Sequence, residues 1–265
     1  MGFKKSLFNL YVRYCDSTPF DFGKGTLTNF VGNYLGLAKF KIRDIKLELN
    51  PTALLDRYLI EGSEINSVLT SEMDSCLDED NYFLDIGANI GYFSILAALK
   101  YKAQVFAFEP SPRELKRLYR NIALNNCTQI VCYPYGVGAK EETLHLNLTD
   151  FQNPSMNFIT KVPSTYSIPV MVKPIDQILY SQNLESIKLC KIDVEGFEME
   201  VLKGMENSFN QMRGCHYVVE VSPEYLKKAN ATVEQIYDFF EKRAYKPLRG
   251  KQNFFQWDEV FVPEQ

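Results

Sequence analysis

The residues able to support a reaction fall in three short stretches. The first is Phe83-Leu84-Asp85-Ile86-Gly87-Ala88-Asn89-Ile90-Gly91. An apolar run closes on a carboxylate, and two glycines among small residues lead into an amphipathic segment. Glycines at 87 and 91 permit a tight turn and let a ligand approach the backbone, and the start of the next helix offers unpaired amide donors. The spacing D-x-G-x-x-x-G differs from the G-x-G-x-x-G of a pyrophosphate loop. No Gly-Lys-Ser/Thr follows, as a P-loop requires. A carboxylate at Asp85 repels a pyrophosphate and suits the cationic amino group of a methionine moiety.

The second stretch, Val105-Phe106-Ala107-Phe108-Glu109-Pro110-Ser111, places an acid about twenty residues beyond the glycine loop, at the end of a buried-type strand. An acid there accepts hydrogen bonds from both hydroxyls of a ribose. Either acid alone reads equally well as a helix cap or a surface residue; the pair in this order favours a nucleoside site. The third stretch, Lys191-Ile192-Asp193-Val194-Glu195-Gly196-Phe197-Glu198, sets a strand end, two carboxylates and a glycine just before a helix. Asp193 and Glu195 then face the same crevice as Asp85 and Glu109, because ligands of open α/β sheets bind beyond the carboxyl ends of the strands. Glu198 reads better as a helix-start residue.

These acids need a parallel sheet behind them, and the pattern supplies one. Short apolar strands are predicted at 82–86, 104–109, 129–133, 187–193 and 216–222, alternating with helices at 90–101, 111–125, 196–208 and 232–243. Such alternation argues for a sheet covered on both faces. An insertion at about 140–175 holds a strand from Thr143 to Leu148, a polar loop at Asn153-Pro154-Ser155 and a strand near Val170. Upstream, Phe40 to Leu49 reads as one strand, followed by helices at 52–61 and 64–77; the first forty residues read as an irregular extension. Asn253 to Trp257 and Glu259 to Val262 look strand-like.

Composition narrows the class. The chain has 265 residues, 46% hydrophobic and 23% charged, with a net charge of −4, which leaves no footprint for nucleic acid. Arg113, Lys116, Arg117 and Arg120 read as a solvated helix face. Six scattered cysteines with no CxxC, and only His145 and His216 beside them, point to free thiols in a reducing cytoplasm and to no zinc site. The Asn-x-Thr triplets at Asn126, Asn147 and Asn230 matter only in a secreted chain. Arg13 and Asp16 interrupt the first apolar run too early for a signal peptide or a membrane span, and Met1-Gly2 with Ser6 fits only the short myristoylation pattern.

Asp85 to Gly91, Phe108 to Ser111 and Lys191 to Glu198 together resemble the FkbM family of S-adenosylmethionine-dependent methyltransferases. The resemblance covers roughly residues 55–225, with Asp193-Val-Glu-Gly196 its most specific element; Tyr58 to Glu64, with Gly62 and Glu64, is similar to the family's segment ahead of the glycine loop. It implies a Rossmann-like class I methyltransferase fold, an α/β architecture with a mostly parallel seven-stranded sheet whose final strand is antiparallel. An extension of residues 1–50 would precede a methyltransferase domain of 51–265. It also implies O-methylation of a hydroxylated small molecule, a sugar, polyketide or other secondary metabolite, with a homo-oligomer left open. The expected cofactor set is Glu64, Asp85, Gly87, Ala88, Asn89, Gly91, Glu109, Pro110, Ser111 and Asp193, for S-adenosyl-L-methionine.

An alcohol is a poor nucleophile until its proton leaves, so a base helps. Asp193, Glu195 and Glu220 are the candidates, since Glu220 lies late in its strand whereas His216 begins that strand, away from the crevice; His145 lies in the insertion. Clustered carboxylates also suit a divalent cation, which ranks below a metal-free site. Two rivals remain. A nicotinamide-dependent oxidoreductase is opposed by the glycine spacing and the lack of a proton-relay pair. A non-catalytic S-adenosylmethionine-binding module is opposed by the intact Asp193/Glu195 pair.

Overall fold

A computed structural model describes residues 37–51, 53–60, 66–148 and 157–264. They fall into two compact units, divided after residue 65. In the first, β1 (Ala38–Ile42) and β2 (Ile45–Leu49) form an antiparallel hairpin that pairs Phe40 with Leu47, followed by α1 (Leu54–Ile60). The single strand expected from Phe40 to Leu49 is therefore two. Arg43 takes the left-handed conformation (φ 53) and reverses the chain, and the apolar positions change phase there, from Phe40 and Ile42 on one arm to Ile45, Leu47 and Leu49 on the other.

The second unit holds the predicted sheet. Its strands are β3 (Tyr82–Ile86), β4 (Gln104–Phe108), β5 (Ile130–Tyr133), β10 (Ile187–Ile192), β11 (His216–Val221), β12 (Tyr245–Pro247) and β13 (Trp257–Pro263). Their order is β12-β13-β11-β10-β3-β4-β5. The five strands from β5 to β11 run parallel, and β13 lies antiparallel between β11 and β12. This is a Rossmann-like, mostly parallel seven-stranded arrangement whose final strand in the chain is antiparallel. The chain winds outward from β3 to β5 and returns to place β10 beside β3, so the switch point lies between those two strands.

Alternate strand residues feed two cores. Phe83, Val105, Ala107, Leu189 and Val218 pack under α2 (Ser67–Cys76), α3 (Tyr92–Leu96, running into a π-helical turn Ala97–Tyr101) and α4 (Pro112–Asn125). Leu84, Ile86, Phe108, Ile192, Tyr217 and Phe261 pack on the opposite face. That face is covered by α5 (Ile175–Ile178), α6 (Glu198–Lys203), α7 (Glu206–Gln211) and α9 (Val233–Glu241); α8 (Pro223–Lys228) follows β11. Burial on both faces explains why the central strands β3, β4, β10 and β11 read as nearly continuous apolar runs.

Three details differ from the sequence reading. The helix expected over 196–208 breaks at Gly204, where a Cβ would lie 2.1 Å from the Gly138 carbonyl oxygen. Residues 253–256 form no strand, and Tyr245–Pro247 pairs with β13 instead. Arg117 is buried together with Glu114, Leu118 and Asn121 on the inner side of α4, so the basic row is not one solvated face.

The insertion forms a second sheet, ordered β6-β9-β7-β8, from β6 (Gly136–Val137), β7 (Glu142–Asn147), β8 (Phe158–Thr160) and β9 (Ser167–Lys173). Leu144 and Val172 of this sheet close around Phe197, beside Ile159 and Val194, and so dock it next to the loop carrying Asp193 and Glu195. Phe197→Ala should remove this anchor and cost about 3 kcal/mol or more of stability, read from urea unfolding; a loss under about 1 kcal/mol would mean that the sheet docks by other contacts.

Candidate active site

The site is built on the two strands at the switch point. Asp85 of β3 and Lys191 of β10 are direct cross-strand neighbours on one face, in register with Ala107 and Val218 on either side. Asp85 is 1% exposed and Lys191 3%. The Lys191 Nζ lies 3.0 Å from an Asp193 carboxylate oxygen and 3.6 Å from Asp85 Oδ1, and it donates to the Gly87 carbonyl at 3.0 Å. Burial by itself would lower the lysine pKa, but Asp193 and Asp85 outweigh it and hold the group above its ordinary value. For Asp85 burial outweighs Lys191 and pushes the carboxyl upward. Lys191 went unremarked in the sequence, although a lysine in an otherwise apolar two-faced strand requires a buried partner.

The glycine loop is held by the protein itself. The Gly87 and Ala88 amides donate to the Phe108 carbonyl at 3.0 and 2.9 Å, and the Gly91 amide to the Ala88 carbonyl at 2.8 Å. At both glycines the absent side chain makes room for neighbouring protein atoms. A Cβ on Gly87 would sit 1.9 Å from the Asp193 carbonyl oxygen, and one on Gly91 would sit 2.2 Å from Leu118 Cδ1. Both glycines have φ of +84, and they admit the neighbouring chain. Asn89 between them is also left-handed, at φ 51.

Glu109 follows β4 and is buried. One carboxylate oxygen accepts from the Asn89 amide and the other from the Ser111 amide, each at 2.8 Å. Burial pushes its pKa up to about 8. Pro110 and Ser111 turn the chain into α4, where the Ser111 hydroxyl pairs with Glu114. Each Glu109 oxygen keeps a second lone pair, which fits two ribose hydroxyls, and the buried Asp85 Oδ1 has no hydrogen-bond partner. On these observations the residues present fit S-adenosylmethionine. Glu64 lies outside the described residues, as do Gly62 and Asn153-Pro154-Ser155.

Beyond β10 the acids converge. Carboxylate oxygens of Asp193, Glu195 and Glu220 all lie within 4.8 Å of one another, close enough to ligate a cation or to share protons. Glu195 occupies the left-handed region at φ 55, a conformation that costs a non-glycine residue about 1 kcal/mol or more. Burial, with Asp193 and Glu198 nearby, raises its pKa to about 8. Glu220 is buried; burial and the charges of Asp193, Glu195 and Glu198 hold it well above the carboxylate range, and Gln256 donates to its Oε1. Glu198 accepts from the Val194 and Gly196 amides and is pushed to about 7 by burial.

The histidines stand apart. His145 lies in β7, opposite Pro169 and Thr160. His216 begins β11, its Nδ1 2.7 Å from Glu72 of α2; contact with Cys76 and Glu72 raises its pKa to about 10.

Residues 85–247 match the methyltransferase FkbM domain. Among curated proteins, Methyltransferase 1 of Beauveria bassiana is 29% identical over 189 residues, covering 62% of this chain and 73% of that protein. Methyltransferase sdnD of Sordaria araneosa is 33% identical, covering 50% of this chain and 65% of its own. The hexuronic acid methyltransferase AglP of Haloferax volcanii is 30% identical, covering 51% of this chain and 54% of its own.

Two outcomes follow from the ionic arrangement. Lys191→Met should leave Asp85 buried without its cation and cost about 3 kcal/mol or more in urea unfolding; a change below about 1 kcal/mol would show that the lysine holds nothing. The second concerns pH. Glu109, Glu195 and Glu198, with Asp258 raised to about 6 and His216, bind protons in the folded chain that the unfolded chain releases. Stability should therefore fall as pH rises from about 4.5 through 8. Without cofactor, the Tm at pH 8.5 should lie roughly 5 °C or more below that at pH 5.5, and an upward trend would contradict the assigned protonation.

Proposed function

The chain belongs to the methyltransferase FkbM family, and we propose that it methylates a hydroxyl oxygen of a sugar or other hydroxylated metabolite, with Glu195 accepting the hydroxyl proton. Bound S-adenosylmethionine supplies an already activated methyl group, so the chain's task is to position the acceptor and remove its proton. The observation that carries the assignment is Glu195, held at φ 55 among converging acids with a pKa near 8. A base works best when its pKa lies close to the working pH. Glu220, held protonated within 4.8 Å of it, adds no negative charge beside the ionised Glu195. Asp193, paired with Lys191 and one-third exposed, faces the transferred group.

On the cofactor side, Glu109 accepts from the two ribose hydroxyls. Asn89 and Asp193 orient the methionine end. Asp85 acts through Ser94, which donates to it at 2.5 Å, and through Lys191, as a positioning residue. The similarity to a hexuronic acid methyltransferase supports a sugar. Among the described residues no helix is long and apolar enough to cross a membrane.

With isotopically labelled methyl donor, the label should appear on a hydroxyl oxygen of the product by mass spectrometry. Glu195→Gln should lower kcat by about 10²–10⁴-fold with donor affinity retained, and the wild-type rate should rise as pH approaches 8. Wild-type turnover in Glu195→Gln would overturn the assigned base; label on nitrogen would overturn the acceptor class.

A further inference from the structure

At the far end of the sheet from the acids lies a second group of ligating side chains. Glu72 and Cys76 stand four residues apart on α2, hence on one face, and that face meets His216 at the first position of β11. One atom from each of the three side chains lies within 4.8 Å of the others. Asn66 caps the start of α2, its side chain accepting from the Leu69 amide at 2.9 Å, and the Asn81 side chain donates to the Cys76 carbonyl at 3.2 Å. Leu69 and Met73 anchor the same helix in the core. The ligand-bearing segment is thus fixed at both ends, and the three side chains are only partly exposed.

We propose that Glu72, Cys76 and His216 bind a zinc ion that clamps α2 to the start of β11. One thiolate, one imidazole and one carboxylate form a mixed set that zinc accepts in tetrahedral sites, whereas calcium and magnesium prefer oxygen throughout. Three protein ligands leave one position for water. Zinc needs the thiol and the imidazole deprotonated, so its binding releases protons. Four residues of strand separate His216 from Glu220, about 13 Å at the rise of an extended chain, so this site is distinct from the catalytic acids. Its role is structural: α2 leads directly into β3, which carries Asp85. Ligands 144 residues apart in sequence show no metal spacing, which is why the cysteine pattern pointed away from zinc.

Tag-free, demetallated full-length protein is titrated with cobalt(II), then with zinc. The expected result is one equivalent bound, with a near-ultraviolet thiolate-to-cobalt band that zinc abolishes. That band should vanish in Cys76→Ser. Glu72→Gln, which keeps the thiol and the shape of the helix, should weaken zinc binding by at least about tenfold. Zinc should raise the Tm of the wild type and not that of His216→Gln. S-adenosylmethionine binding by calorimetry shows that each variant is folded. Absence of the cobalt band in the wild type, or its persistence in Cys76→Ser, overturns the proposal, as does a wild-type Tm that saturating zinc leaves unmoved.

Discussion

A single buried cation holds the switch point together. Lys191 sits between Asp85 on β3 and Asp193 beyond β10 and also binds the Gly87 carbonyl. Two chain segments about a hundred residues apart, Asp85 to Gly87 and Lys191 to Asp193, converge on one ammonium group. In so dry a setting an unpaired charge of either sign costs several kcal/mol, so each partner requires the others. The glycine loop depends on the same junction, because Gly87 fits directly against the Asp193 backbone. The Asp193 amide in turn donates to the Ile86 carbonyl at 3.1 Å, extending the β3–β10 ladder to the loop that carries the acids.

Around this junction the protein has more carboxyl groups than cations. Burial first, and then the neighbouring acid charges, raise the proton affinity of Glu195, Glu198 and Glu220. Such a group cannot ionise completely near neutral pH, so protons are held where a hydroxyl acceptor would have to lose one. The left-handed Glu195 and the docking of the second sheet through Phe197 both fix this loop. Stability is thereby exchanged for a site that is already charged and positioned before any ligand arrives.

The legible part of the fold was the part governed by short-range pattern. Strands such as Phe83 to Ile86 and Val105 to Phe108 are buried on both faces, and continuous apolar runs announce that condition. The antiparallel hairpin at Arg43 shows in the sequence only as a change of phase between Ile42 and Ile45, which the period-two pattern of each arm conceals. The break at Gly204 was hidden because it answers to the Gly138 backbone, which no local pattern reports. Lys191 was visible as a residue and silent as a role, since its meaning lies in a register with Asp85 across the sheet.

The sequence by itself determined the alternation of strands and helices, the three strand-end clusters and their order along the chain. Those features are local, written in periodicity and in the turn chemistry of glycine. Only the tertiary structure decided which clusters touch, that Gly87 packs against the Asp193 backbone and Gly91 against the Leu118 side chain, and that Glu72, Cys76 and His216 meet. The reason is physical: proximity across a sheet depends on register and strand order, and proton affinity depends on burial and neighbouring charge. None of these is a property of any short stretch of chain.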